Sequence, residues 1–221
     1  MFEAVIFDCD GVLVDSEILA VEVELMSLAE VGMVYEEEDF KARFMGMSTP
    51  AFYDALDADR FQRLGSGLPE GFRDLCSARY RAAWHRLDEV PGAREAVAKV
   101  LHLKAVASSS SDDALNRKLK LTDLWEPFTP HIYSADHVTH AKPAPDLFLY
   151  AADALKVAPE HCLVIEDSGN GVRAARAARM TVWGFLGGGH MNDAAGTRLL
   201  AAGADRLIRD WAEAGPLLAA L

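Results

Sequence analysis

Asp8, Asp10, Ser108, Lys142, Glu166 and Asp167 are residues whose types could together handle a phosphoryl group. Asp8 and Asp10 flank Cys9 in the run Asp8-Cys9-Asp10-Gly11. At the end of an extended segment, positions i and i+2 point to one side, so the two carboxylates face together and Cys9 faces away. Gly11 permits the sharp turn that must follow. Two carboxylates about 4 Å apart repel by roughly 4 kcal/mol at an effective dielectric of about 20. Glu166 and Asp167 bring two further charges. Such a group of acids calls for a divalent cation, and oxygen ligands alone favour Mg²⁺ over zinc.

Ser108 ends an apolar run and is followed by Ser109, Ser110 and Ser111. Its hydroxyl, with backbone N–H groups opening the next helix, is suited to phosphate oxygens. Read alone, the same stretch is first a Ser/Asp-rich helix cap with Ser111 or Asp112 at the cap position. Lys142 stands in Ala141-Lys142-Pro143-Ala144-Pro145. Its ammonium could neutralise both a phosphoryl oxygen and the acids; read alone, it is also a surface lysine before a proline-initiated helix. His190 follows three glycines, Gly187 to Gly189, in a loop after the fifth strand; it reads first as a plain loop residue, with an approach to the site as the alternative. No histidine pair has a metal-ligand spacing such as HExxH, and no GxxxxGK[ST] loop is present.

These residues need a scaffold that brings separate segments to one place. Apolar runs at 4–7, 105–107, 131–133, 163–165 and 181–185 read as strands, with 206–208 as a short edge strand. Amphipathic segments at 93–103, 113–121, 146–155 and 169–178 lie between them. Alternation of this kind predicts an α/β fold, a Rossmann-like parallel sheet with helices on both faces. The acids, the serine and the lysine then follow strand ends, where ligands bind in open α/β sheets.

Residues 16–89 break the alternation and show only helical periodicity. One predicted stripe is Ile18, Val21, Leu25, Leu28 and Ala29; another is Phe72, Leu75, Cys76, Tyr80 and Trp84. This segment is expected to form a small helical cap domain of four or five helices. The catalytic core is then residues 1–15 and 90–221, rejoined at Pro91-Gly92. A cap at the mouth of such a site can exclude water and choose the substrate.

Composition limits the partners. With 221 residues the chain can bury one sizeable core with an insert. A formal net charge of -12 speaks against a nucleic-acid partner, which would want a basic face. No apolar run reaches the length of a membrane span, and no basic leader precedes the first strand, so a cytoplasmic protein without a membrane partner is expected. The three cysteines, Cys9, Cys76 and Cys162, read as reduced core thiols. A monomer or weak dimer is expected.

The stretches Asp8-Cys9-Asp10-Gly11-Val12-Leu13-Val14-Asp15-Ser16, Val106-Ala107-Ser108, Lys142-Pro143-Ala144-Pro145 and Glu166-Asp167-Ser168 with Gly171 resemble, in order and spacing, the four motifs of the haloacid dehalogenase superfamily. The motifs span nearly the whole chain. They are specific for the superfamily and poorly specific for substrate. The resemblance implies Asp8 as the nucleophile that becomes an aspartyl-phosphate. It implies Asp10 as the acid that protonates the leaving oxygen and then the base that activates water. With Lys142 these form the implied catalytic set. Ser108, Ser109, Lys142 and Gly11 are the implied phosphate-binding set. Asp8, Asp10 through its carbonyl, Asp167 and Glu166 are the implied Mg²⁺ set, Glu166 as a ligand or an outer acid. The resemblance also implies a cis Lys142–Pro143 bond.

The nearest groups are β-phosphoglucomutases and sugar-phosphate phosphatases, including 6-phosphogluconate phosphatases. Two departures favour a phosphatase. Ile18, Leu19 and Ala20 stand where mutases commonly carry a histidine, and Phe44-Met45-Gly46-Met47-Ser48-Thr49 lacks the cations that hold a second phosphate. The expected activity is Mg²⁺-dependent hydrolysis of a small phosphorylated sugar, sugar acid or polyol. Met45, Gly46, Met47 and Thr49 are the expected substrate-facing cap residues, with the methionines as adaptable apolar surface. A phosphomutase is the alternative. A receiver-type signalling module shares the acids, serine and lysine but not the DxDG spacing or the long insert.

Overall fold

β1 (Ala4–Phe7) is buried at all four positions, as a central strand covered on both faces must be. This is a computed structural model of the chain, and it describes residues 2–45, 47, 49–191 and 193–221. After β1 come α1 (Ser16–Glu30), α2 (Glu37–Phe44), α3 (Thr49–Leu64) and α4 (Phe72–Ala82). Then follow α5 (Ala93–Lys99), β2 (Leu103–Ser108), α6 (Asp112–Leu121), β3 (Ile132–Ser134), α7 (Asp146–Leu155) and β4 (Cys162–Glu166). The chain continues through α8 (Gly169–Ala177), β5 (Thr181–Phe185), α9 (Asp193–Ala202), β6 (Arg206–Ile208) and α10 (Trp211–Ala219).

Among the described residues the strands form one parallel sheet in the order β3-β2-β1-β4-β5-β6. Chain order runs outward from β1 to one side and then crosses back to β4 on the other. The reversal lies at the carboxyl end of β1, where such sheets open a crevice for ligands. Register makes this exact enough to locate side chains: Phe7 lies opposite Val106 and Ile165. The next residues, Asp8, Ala107-Ser108 and Glu166, therefore emerge side by side.

Alternate residues feed two apolar layers. Ala4, Ile6, Ala105, Ala107 and Val164 pack with Leu147, Phe148 and Val172. On the other face Phe7 meets Phe128 and Trp211, with ring centroids at 5.5 and 5.9 Å. Trp211 also lies 4.6 Å from Phe185 and donates its indole N–H to the Val12 carbonyl at 2.9 Å. α10 thus pins the loop that follows β1.

The chain divides into two compact units, Met1–Ser16 with Leu87–Leu221, and Glu17–Arg86. The described residues of the second form helices joined by turns and loops, with no strand. Its core gathers Val21, Leu28, Phe40, Phe44, Phe52, Leu56, Phe72 and Cys76. The Phe40 and Phe44 rings lie tilted with centroids 5.2 Å apart, and Phe52 meets each edge-on.

Several sequence expectations need correction. The segment expected to be helical to residue 103 ends at Lys99, because Leu103 already pairs with Ala4 in the sheet. In α1 Val21, Leu25 and Leu28 of the expected stripe pack in the helical core, but Ile18 and Ala29 are exposed, and Leu19 and Val23 are buried on another side of the helix. In α4 Leu75 is exposed, and Phe72 and Cys76 carry the packing. The helices α9 and α10 were not expected; small residues in one and Pro216 inside the other obscure their periodicity.

Candidate active site

Asp8 leaves β1 in register, its N–H donating to the Ile165 carbonyl at 2.9 Å. The chain then folds back at once, since Leu13 and Val14 both donate to the Cys9 carbonyl at 2.9 Å. Gly11 makes the turn with φ +75, and a side chain there would collide with the Asp167 carboxylate and the His190 ring. Cys9 is fully buried, and burial, then the neighbouring Asp10 charge, pushes its thiol up. A thiol held neutral and sealed is a poor nucleophile.

Lys142 reaches into the crevice after a cis Lys142–Pro143 bond. Its ammonium donates to Asp8 Oδ1 and Glu166 Oε1, each at 2.6 Å, and to the Ala107 carbonyl at 2.9 Å. It also lies 4.7 Å from the Phe148 ring centroid. Burial alone would lower its pKa, but Asp8 and Glu166 hold it above the usual lysine value. Burial raises Asp8 well above the usual carboxylate range; Lys142 opposes this, while Glu166, Asp167 and Asp10 add to it.

Glu166 is held on both oxygens. Oε1 takes Lys142, and Oε2 accepts from the Ser168 N–H at 2.8 Å and its hydroxyl at 2.9 Å. Ser168 in turn caps α8 by accepting from the Gly171 N–H at 3.0 Å. A Cβ at Gly171 would run into the Glu166 carboxyl, which is why the first turn of α8 must be bare there. Asp167 lies beside His190, with His190 Nε2 at 3.3 Å from Oδ2. Burial raises the Asp167 carboxyl, the His190 hydrogen bond opposes it, and Glu166 raises it further.

Asp10 meets a different set of donors. Lys118 Nζ and Ser16 Oγ both donate to Oδ1 at 2.5 Å, and Ser110 Oγ donates to Oδ2 at 2.9 Å. Burial would raise its carboxyl, but Lys118, Ser16 and Ser110 hold it below the usual carboxylate range. Lys118 and Ser110 are not among the sequence candidates, and His190, expected first as a plain loop residue, lies at the site beside Asp167. Lys118 had a signal: it lies between Leu115 and Leu119 on the buried face of α6, a position where an amphipathic helix is expected to be apolar.

The remaining sequence candidates divide. Ser108 is buried at the end of β2, and its hydroxyl accepts from the Ser110 N–H at 3.1 Å. Ser109 is exposed. In the helical unit, Met45 is half-buried against that unit's own core, while Met47 and Thr49 are exposed. Gly46 lies outside the described residues. Residues that could hold a hard cation are Asp8, Asp167 and the Asp10 carbonyl. Among the described residues no three His, Cys, Asp or Glu side chains gather as a metal-binding group. Glu166, with both oxygens occupied, is turned toward Lys142 and Ser168.

Chemically, this is a carboxylate at a strand end, an ammonium on one of its oxygens, and a second carboxylate two residues on. Residues 2–179 match the model of a haloacid dehalogenase-like hydrolase. The chain is 33% identical over 216 residues to a phosphorylated carbohydrates phosphatase of Thermotoga maritima, covering 94% of each. It is 26% identical over 193 residues to a 6-phosphogluconate phosphatase of Escherichia coli, covering 85% of this chain and 84% of that one. A crystal structure of a haloacid dehalogenase family hydrolase from Deinococcus radiodurans, with bound phosphate and sodium, superposes with a TM-score of 0.85. That hydrolase is 35% identical, over 99% of this chain and 96% of its own.

Proposed function

The chain belongs to the haloacid dehalogenase-like hydrolases, as a phosphoric monoester hydrolase, and from that footing we propose that it hydrolyses a small phosphorylated sugar, sugar acid or polyol with Mg²⁺. The observation that carries the reading is the buried Asp8–Lys142–Glu166 array. A lone carboxylate repels a dianionic phosphate. With an ammonium fixed on one oxygen, Asp8 can approach one. The names of the relatives, which act on phosphorylated carbohydrates and 6-phosphogluconate, support a carbohydrate phosphate.

In this reading a carboxylate oxygen of Asp8 attacks phosphorus as the ester P–O bond breaks. Asp10, which has to bind a proton in the substrate complex against the pull of Lys118, gives it to the leaving oxygen. Water then attacks the aspartyl-phosphate, Asp10 takes the water's proton, and the Asp8–phosphorus bond breaks to free phosphate. Splitting one hard displacement into two is ordinary covalent catalysis. Lys142 would hold a phosphoryl oxygen, with Ser108, the neighbouring backbone of Ser109 and the turn at Gly11 around the phosphate.

The donor set fits Mg²⁺. Asp8, Glu166 and Asp167 gather around the single Lys142 ammonium, and burial with the neighbouring acids makes ionising Asp8 and Asp167 costly, a cost that a cation there would relieve. Asp8, Asp167 and the Asp10 carbonyl would hold the ion through oxygen alone, and Glu166 would act as an outer acid that aims Lys142. Mg²⁺ bound there would offset charge on the phosphoryl oxygens. The helical unit, 16–89 in the sequence reading, would select the substrate through Met45, Met47 and Thr49. No described helix is long and apolar enough to cross a membrane, which is compatible with a cytoplasmic metabolic role.

The test is a panel of phosphorylated sugars, sugar acids and polyols assayed with Mg²⁺ for both free phosphate and isomerised product. Release of free phosphate supports the reading. An isomerised sugar phosphate without release would move the chain to the phosphomutases.

A further inference from the structure

We propose that Lys118 is a positioning residue for the second half of the reaction, holding Asp10 where it takes the proton of the attacking water. The inference rests on the roles given above to Asp8 and Asp10. Lys118 comes from α6, outside the four sequence motifs. Its side chain is only 7% exposed. It interrupts the apolar face between Leu115 and Leu119, both fully buried. Burying an ammonium there is costly unless it is paired, and a helix packed only for stability would carry an apolar residue at that position.

Its partner, Asp10, is an acid of the site that Lys142 does not touch among the described contacts. Lys142 bridges Asp8 and Glu166, whereas Lys118 donates to Asp10 Oδ1 at 2.5 Å. Ser110 ties the two ends together, since its hydroxyl lies 2.9 Å from Asp10 Oδ2 and 3.2 Å from Lys118 Nζ. With Ser16 on Oδ1 as well, both oxygens are fixed and the carboxylate is held in one orientation.

The two half-reactions use this arrangement unequally. In the first, the ester P–O bond breaks, the Asp8–phosphorus bond forms, and the Asp10 proton passes to the leaving oxygen. A protonated Asp10 could still accept from Lys118 on its other oxygen, but as a neutral acceptor it would hold the ammonium less tightly than the carboxylate does. In the second, a water oxygen bonds to phosphorus, the water proton passes to Asp10, and the Asp8–phosphorus bond breaks. Asp10 is then an acceptor, the state that an ammonium and two hydroxyls hold. Loss of Lys118 should therefore fall on dephosphorylation.

The experiment compares the unmodified enzyme with Lys118→Met, Lys118→Arg and Ser110→Ala on one good monophosphate. Steady-state rates are measured together with the fraction of enzyme trapped as aspartyl-phosphate by acid quench from labelled substrate. Lys118→Met should lower kcat by about 10–100-fold, less than the roughly 10²–10⁴-fold of a lost general base because Asp10 itself remains. Its kcat/KM should stay within about threefold, because that ratio stops at the first irreversible step. Phospho-enzyme should accumulate severalfold, and Lys118→Arg should restore much of kcat. Equal loss of kcat and kcat/KM without accumulation, or no change in either, overturns the proposal. Should Lys118→Met fail to fold, Ser110→Ala decides: slower kcat with accumulation supports it, unchanged kcat overturns it. The underlying reading fails separately, through Asp8→Asn, which should form no phospho-enzyme.

Discussion

The Lys142 ammonium lies 2.6 Å from the Asp8 carboxylate, an ion pair between residues 134 apart in sequence and nearly sealed from solvent. One comes off the central strand and the other off a proline-bounded loop. Neither local segment specifies the meeting; the sheet order does. The pair is also why two otherwise unfavourable states coexist, a buried lysine that stays charged and a buried aspartate that can face an anion.

Replacing Lys142 with Met should lower the rate for every substrate alike, by about 100-fold or more, as expected when a preorganised charge on the transition state is removed. Replacing Met45 or Thr49 should instead change relative kcat/KM among substrates by roughly 1–3 kcal/mol, the range of a pocket contact. A substrate panel run on all three variants separates the roles. An unchanged ranking in both Met45 and Thr49 variants would place substrate selection elsewhere.

Gly171→Ala should be disproportionately harmful for so small a change. The added methyl would meet the Glu166 carboxyl, which Lys142 and Ser168 hold in place. A loss of about 1–3 kcal/mol is expected from overpacking, together with a fall in kcat as Lys142 is displaced. Thermal unfolding and turnover measured on one preparation test this, and a variant of native stability and rate would contradict the packing described.

Glu24 supplies a pH prediction away from the site. Burial, and then the nearby Glu17 charge, push its carboxyl from an ordinary 4.5 up to about 8. Between those values the folded chain holds a proton that the unfolded chain has released. Stability should therefore fall as pH rises through that window. Glu24→Gln removes the linkage. Its thermal midpoint should match the unmodified protein near pH 4.5 and exceed it by several degrees near pH 8, a gain of about 1–3 kcal/mol. Equal midpoints at both pH values would show that the carboxyl is not held protonated.

Activity should vanish on exhaustive chelation and return with Mg²⁺. The acids around Asp8 and Asp167 outnumber the cations that face them, and their ligand atoms are all oxygen. Isothermal titration of Mg²⁺ should give one site in the unmodified protein and much weaker binding in Asp167→Asn. Full turnover in the presence of chelator would rule the ion out of the reaction.

Much of the fold was legible because buried parallel strands are short continuous apolar runs, as at Ala4–Phe7 and Cys162–Glu166. Polar residues immediately after such runs also marked Asp8, Ser108 and Glu166 as neighbours. Lys118 left one trace, a lysine among the apolar positions of α6, but its partner was not legible, because only tertiary packing turns it toward Asp10. Nor was the double engagement of Glu166, which depends on the cap at Ser168 and the bare turn at Gly171. In α1 the stripe was misjudged because the helix is buried on more than one side, which a single-face pattern does not describe.

The most direct measurement is the fate of the phosphoryl group in the unmodified enzyme and in Asp8→Asn. Both are mixed with a labelled sugar monophosphate and Mg²⁺, quenched in acid and digested. The unmodified enzyme should release phosphate and carry label on the peptide that contains Asp8. The isosteric variant should fold normally, carry no label and turn over at least about 10⁴-fold more slowly, as expected when a nucleophile is removed. Substantial turnover by folded Asp8→Asn, or label on another peptide, would contradict the account.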